Sequence, residues 1–178
     1  MKYFDELKAS MNWLAKKKDT IFIGQAVEYP GTGMTNTLSE VDKNKLFELP
    51  VAEEMQMGMS LGLSFNSIIP VSLFPRWNFL LCGMSQLVNH IDKLKYMNCE
   101  GFNSKIIIRT GIGSERPLHP QFQHVGDLTD GLNLILKDVE IIRLEEPTDI
   151  MPSYIKAYDR VDGKSTILVE YGDYYSEK

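Results

Sequence analysis

The sequence has 178 residues, of which 43% are hydrophobic and 24% charged, with a formal net charge of −5 at pH 7. This length and composition predict one globular domain that buries its own core. The negative charge argues against nucleic acid or an anionic membrane as the main partner, because both repel an acidic protein. No apolar run is long enough to cross a membrane. The two isolated cysteines, Cys82 and Cys99, indicate reduced thiols in a cytoplasmic protein, not a disulfide framework or a zinc site.

Helical and strand patterns alternate along the chain. An amphipathic helix over residues 3–17 precedes a β-branched strand that ends at Gly24, and a polar, turn-rich loop follows. Further strands are predicted over residues 47–51, 68–74, 104–110, 139–144 and 165–171, with helices between them, including a long one over residues 75–98. Strands that alternate with helices indicate a three-layer α/β/α fold with a mainly parallel central sheet. Because there is no repeat or linker, residues 1–178 are predicted to form a single domain.

Two adjacent carboxylates, Glu53 and Glu54, begin a segment in which residues 55–74 carry no charge. Its methionines and leucines do not keep to one helical face, which predicts a buried helix. Gly58 and Gly62 lie one turn apart and would let another backbone approach closely. A carboxylate in the first turn of such a helix is a candidate functional group, because burial and the helix dipole act on its charge in opposite directions. The alternatives are that the dipole alone explains both acidic residues, or that the segment is a strand.

Four segments, taken in order, resemble the pyrimidine-binding domain of the transketolase superfamily, and most of all the beta subunits of 2-oxo-acid dehydrogenases. They are GQAVEYPGTGMTNTL, FELPVAEEMQMGMSLGL, PVSLFPRWNF and IIIRTGIGSERPLHPQ, and the resemblance covers residues 19–160. The family has a proline, two residues, its glutamate and then two glycines. This spacing assigns the family's glutamate to Glu53 and not to Glu54.

The resemblance implies thiamine diphosphate as the cofactor. In the family the glutamate, here Glu53, hydrogen-bonds the aminopyrimidine ring and promotes its imino tautomer, while the carbanion chemistry belongs to the cofactor. The aromatic that stacks on the ring falls on Phe79, with Trp77 as the alternative; without the resemblance, either would be taken as a core aromatic. The family's active-site histidine matches His119, and His124 is the competing choice.

The sequence also departs from the family pattern. It lacks the GDG motif with a following asparagine that marks the domain binding the diphosphate and Mg²⁺, and it lacks the usual C-terminal domain. We therefore expect only the pyrimidine half of the site here, without a metal site, and a separate subunit that carries the diphosphate and Mg²⁺ ligands in a homo- or hetero-oligomer.

The expected reaction is decarboxylation of a 2-oxo acid, as in a dehydrogenase, or transfer of a ketol unit. A non-catalytic assembly or regulatory subunit with the same fold is one alternative. A flavodoxin-like binding module is another, which the absence of a phosphate loop disfavours.

Overall fold

A parallel sheet organises the chain in a computed structural model that describes residues 2–30, 32–97, 104–113 and 120–177. Within these ranges the sheet has six strands, β1 (Thr20–Gly24), β2 (Leu46–Glu48), β3 (Ile69–Phe74), β4 (Ile107–Ile112), β5 (Val139–Arg143) and β6 (Ser165–Tyr171). Their order is β2-β1-β3-β4-β6-β5, and every pair of neighbours is parallel. Parallel neighbours require crossover connections, which place helices on the faces of the sheet.

Helices cover both faces of the sheet. The described helices are α1 (Tyr3–Ala15), α2 (Gly33–Asn36), α3 (Glu53–Ser64), α4 (Trp77–Leu80), α5 (Thr129–Ile135), α6 (Pro147–Asp159) and α7 (Tyr174–Glu177). Side chains of α1, α2 and α6 pack into one core, and those of α3, α4 and α5 into a second core. None of the described helices is long and apolar enough to span a membrane.

Successive side chains of the central strands enter opposite cores. In β4, Ile107 packs under α1 and α6, whereas Ile108 packs under α3 to α5. In β6, Leu168 packs in the core under α1 and α6, and Val169 packs in the core under α3 to α5. A strand buried on both faces has an unbroken apolar sequence, which is why these strands were visible as β-branched runs. The predicted three-layer α/β/α fold with a parallel sheet is confirmed.

The long helix predicted over residues 75–98 is divided into short helical segments. After α4 come a 3₁₀ turn, a π-helix and a second 3₁₀ turn, over Leu81–Gly83, Gln86–Ile91 and Leu94–Tyr96. The backbone here packs directly on α3, since a Cβ added to Gly83 would lie 3.3 Å from the Glu53 carbonyl oxygen and 3.4 Å from the Met57 Cβ. Apolar spacing therefore identified the face that packs, but not the changes of helical pitch along it.

The prediction that α3 is buried all round is wrong. Its buried side chains are Gln56, Met57, Ser60 and Ser64. On the outer face Met55 is 42% exposed, and a Cβ added to either Gly58 or Gly62 would meet nothing within 4 Å. Among the described residues, the glycine pair thus faces open space.

The inward face of α3 is polar because the sheet supplies hydrogen-bond partners. Gln56 Nε2 donates to the Leu73 carbonyl oxygen at 2.8 Å and lies 3.0 Å from Ser72 Oγ. Ser60 Oγ donates to the Gln56 carbonyl oxygen at 2.9 Å. Buried polar groups are stable when they are paired in this way.

Candidate active site

A cavity of about 880 Å³ lies at the carboxyl ends of β1, β3, β4 and β6. Residues that follow these strands line it, among them Gln25 after β1, Arg76 after β3, Gly113 after β4 and Gly172 after β6. Residues of α1, α2, α3, α4 and α7 also line it. Ligands of parallel α/β domains bind at this edge, because the loops that follow the strands diverge there.

The two adjacent carboxylates of α3 have different environments. Glu53 is the first residue of the helix, is partly buried and lines the cavity. Gln25 Nε2 donates a hydrogen bond to its Oε1 at 3.3 Å. Glu54 is exposed and is not among the lining residues. Consecutive helical residues point about 100° apart, so only one of the pair reaches the cavity.

The two candidate aromatic residues also lie in different surroundings. Phe79 lines the cavity, whereas Trp77 is fully buried in the core beneath α3 and α4. Within the described residues the Trp77 Nε1 group has no hydrogen-bond partner. The Phe79 ring lies 5.3 Å from the ring of His124, at an interplanar angle of 41°. The structure thus places Phe79, and not Trp77, where a ligand could contact it.

The candidate histidines are less fully described. His119 lies outside the described residues. His124 packs its ring against Phe79 but is not among the residues that line the cavity. Its carbonyl oxygen accepts a hydrogen bond from Arg76, so His124 contributes to the support of the cavity wall.

Arg76 is a cavity residue that sequence reasoning missed. It immediately precedes α4, and its Nη1 donates to the carbonyl oxygens of Gly113 at 2.6 Å and His124 at 2.8 Å. Burial lowers the pKa of the guanidinium, and the nearby Asp173 carboxylate partly opposes that shift. A signal was present in the sequence, because Arg76 is the sole charged residue between Glu54 and Asp92 when histidine is counted as neutral.

Glu48, at the end of β2, fixes the loop that carries Gln25. Its carboxylate accepts hydrogen bonds from the backbone N–H groups of residues 26–28, at 2.7, 2.8 and 2.9 Å. One of these residues, Ala26, has a φ of 51°, a conformation that residues other than glycine seldom adopt. The three hydrogen bonds stabilise this turn and so hold Gln25 beside Glu53.

A buried ion pair supports the opposite wall. Arg109 of β4 and Glu170 of β6 are both 0% exposed, and Nε and Nη2 donate to the two carboxylate oxygens at 2.6 and 3.0 Å. Tyr154 and Tyr175 donate their hydroxyl groups to the same carboxylate, and Arg109 Nη1 donates to Thr37 Oγ1. Burial opposes the charge of Arg109, but the Glu170 carboxylate raises its pKa above the ordinary value. Because Tyr175 lines the cavity, the ion pair positions part of the cavity wall.

Fold and cavity together define an α/β domain in which a carboxylate, a guanidinium and an aromatic ring face one cavity. Within the described ranges, no group of three or more His, Cys, Asp and Glu side chains could hold a metal ion. Such a cavity suits a planar organic ligand with a polar edge, because a few polar groups orient the ligand while apolar groups bury it.

Comparison with known proteins gives several relatives that are beta subunits of the pyruvate dehydrogenase E1 component. The chain is 26% identical over 114 residues to the mitochondrial beta subunit of the pyruvate dehydrogenase E1 component from Ascaris suum, covering 62% of this chain and 32% of that protein. It is 28% identical over 119 residues to the corresponding subunit from Gracilaria tenuistipitata var. liui, covering 65% and 37%. The subunit from Porphyra purpurea is also 28% identical over 119 residues, covering 65% and 36%.

Among solved structures, the chain matches a split-gene transketolase, described as an inactive beta4 tetramer, with a TM-score of 0.72 and 12% identity. That match covers 94% of this chain and 50% of the other. No protein-family model matches the sequence. The chain spans about a third of the length of the E1 beta relatives. These matches confirm the resemblance to the transketolase and 2-oxo-acid dehydrogenase beta-subunit superfamily.

Proposed function

We propose that this chain supplies the aminopyrimidine-binding half of a thiamine-diphosphate-dependent active site. The observation that carries the proposal is that Glu53 and Phe79 line the same cavity, while their sequence neighbours Glu54 and Trp77 do not. A carboxylate acceptor beside an aromatic ring suits a flat heterocycle with hydrogen-bond donors on its edge. The similarity to pyruvate dehydrogenase E1 beta subunits supports the same assignment.

The residues present fit the pyrimidine portion of the cofactor. When bound, thiamine diphosphate supplies the carbon nucleophile for reactions at a carbonyl group. The part of Glu53 is to accept a hydrogen bond and share a proton at its carboxylate. Gln25 orients that carboxylate by donating to Oε1. Phe79 offers a ring against which a heterocycle can pack, and exclusion of water by such packing strengthens the hydrogen bond to Glu53.

The remaining parts of the site lie beyond what this domain provides. By analogy with the split-gene transketolase that the chain matches in fold, we propose that a separate subunit supplies the groups that bind the diphosphate and Mg²⁺. His119 stays a proposed active-site residue near the reacting carbons. The reaction would be oxidative decarboxylation of a 2-oxo acid or ketol transfer. The matched transketolase structure is an inactive tetramer of beta chains. By analogy, we propose that this chain is also inactive without its partner.

Exchange of Glu53 and Glu54 for glutamine tests the proposal, because the two changes are chemically identical and one helical position apart. In the complex with the partner subunit, Glu53→Gln should lower kcat about 100- to 10,000-fold, as loss of a proton-handling group does. Glu54→Gln should have little effect, since that side chain is exposed and does not line the cavity. Unchanged circular dichroism and melting temperature would show that both variants fold.

Two outcomes would contradict the proposal. A larger loss from Glu54→Gln than from Glu53→Gln would mean that the glutamate is assigned to the wrong position. Full activity of the complex with Glu53→Gln would favour the alternative of a non-catalytic assembly or regulatory subunit.

A further inference from the structure

The cavity contains one cationic group whose role the cofactor half-site does not explain. Among the described residues that line it, Arg76 is the sole cation and Glu53 the sole anion. We propose that Arg76 binds the anionic group of the substrate, a carboxylate or a phosphate. The inference rests on the proposed function only in taking the ligand to be a substrate.

The guanidinium is anchored on one side and carries further donors. Both N–H groups of Nη1 are directed to carbonyl oxygens, those of Gly113 and His124. Nε and Nη2 carry three more N–H groups, and no acceptor is paired with them among the described residues. Planar N–H groups of arginine bind carboxylate and phosphate oxygens in a two-pronged geometry. Because the anchored side chain has already lost its freedom, little further entropy is lost on binding.

The backbone that holds the guanidinium is itself constrained. Gly113 has a φ of +70°, and a Cβ at this position would lie 3.0 Å from Asp173 Oδ2. A glycine is therefore required where the carbonyl oxygen turns towards Arg76. Through this contact Arg76 joins the ends of β3 and β4, so the sheet itself determines where the positive charge lies.

The electrostatic surroundings favour an anionic ligand. Burial lowers the pKa of Arg76 below its ordinary value, but the group remains charged at neutral pH. The nearby Asp173 carboxylate partly opposes that shift. A partly desolvated cation of this kind gains from a ligand carboxylate that replaces the lost water.

Titration of the full chain with three small anionic or neutral probes tests the inference without cofactor or partner. The probes are pyruvate, its uncharged methyl ester and inorganic phosphate, and NMR would follow Arg76 Nε–H and the amides of Gly111 and Gly113. We expect pyruvate to shift these signals saturably, and the ester to bind about 10- to 100-fold more weakly, because it lacks the charged acceptor. Phosphate that displaces pyruvate, or binds in its place, would also support an anion site and would assign a phosphate-bearing substrate.

Three variants complete the design. Arg76→Met should abolish the shifts, Arg76→Lys should retain part of the affinity, and Arg143→Met should leave it unchanged, because Arg143 pairs with surface carboxylates and does not line the cavity. If Arg76→Met fails to fold, the comparison of pyruvate with its ester in the wild-type chain decides the question alone.

The inference is overturned if neither anion shifts the three signals, if the ester binds as well as pyruvate, or if Arg76→Met binds like the wild type. None of these results bears on Glu53, since the titration contains no cofactor. Conversely, a Glu53→Gln complex with full activity would remove the proposed function and leave a positive titration standing.

Discussion

Removal of one charge from the buried ion pair between β4 and β6 should strongly destabilise the domain. Glu170→Gln preserves the size of the side chain but leaves the Arg109 guanidinium, which is 0% exposed, without a compensating charge. Loss of one partner of such a pair costs about 3–5 kcal/mol of unfolding free energy. At about 2–4 °C per kcal/mol for a domain of this size, the melting temperature should fall by roughly 6–20 °C.

Urea unfolding followed by circular dichroism measures this loss, with Glu140→Gln as the matched control. Glu140 makes the same kind of contact at the surface, with Lys156 and Arg160. Its replacement should therefore cost only about 0–1 kcal/mol. The midpoint for Glu170→Gln should shift while the slope with urea concentration stays constant, since the folded surface is unchanged.

A loss for Glu170→Gln within about 1 kcal/mol of that for Glu140→Gln would refute the reasoning. The double replacement of Arg109 by Met and Glu170 by Leu gives a second check. Apolar residues of similar volume often replace a buried ion pair without loss of stability, so the double variant should recover part of what Glu170→Gln loses. Recovery should not be complete, because the hydroxyl groups of Tyr154 and Tyr175 lose their acceptor. A double variant less stable than the single one would show that the pair contributes more than the compensation of charge.

Three other outcomes are expected. Calorimetry should show weak binding of thiamine diphosphate by the chain alone, because the diphosphate and Mg²⁺ lack ligands; submicromolar, Mg²⁺-dependent binding would contradict this. Sedimentation should show self-association that Gly58→Leu weakens far more than the surface change Lys156→Leu, and a clean monomer, unaffected by the partner, would contradict an interface on α3. Burial and the hydrogen bond to Asp19 raise the pKa of Tyr158 to about 12 from 10.0. The stabilisation that Tyr158 gives to the folded state is therefore complete below pH 10 and is lost as the pH rises towards 12. The free energy of unfolding of Tyr158→Phe, measured by urea titration, should depend less on pH over that range than that of the wild type. An unchanged pH profile would contradict this prediction.

The sheet was predictable because its strands carry their own signal. Thr20–Gly24 and Ser165–Tyr171 are buried on both faces, so their sequences are mostly apolar or β-branched, with Glu170 the one charge. Glu53 was singled out in the same way, since a charge at the start of a long uncharged segment is visible in sequence. The resemblance then separated it from Glu54 by spacing alone.

The features that sequence did not reveal depend on distant partners. The inward position of Gln56 follows from acceptors on β3, at Ser72 and Leu73, which no local pattern shows. Arg109 and Glu170 lie 61 positions apart and look like isolated charges in otherwise apolar strands. Arg76 was visible as a lone charge, but its position on the cavity wall depends on carbonyl groups from two other loops.

The strand order also has a consequence for synthesis of the chain. β6, which leaves the ribosome after the other described strands, is inserted between β4 and β5, and β5 has no other neighbour in the described sheet. Near the start of the sequence, Tyr3 donates to the Leu144 carbonyl oxygen and accepts from the Tyr171 N–H group, so α1 lacks the full set of these contacts until residue 171 has been synthesised. Contacts between residues so far apart slow folding and leave apolar strands exposed in the meantime. The nascent domain should therefore stay incompletely folded until residues 165–171 emerge, and a chain that stalls before them should be a substrate for chaperones.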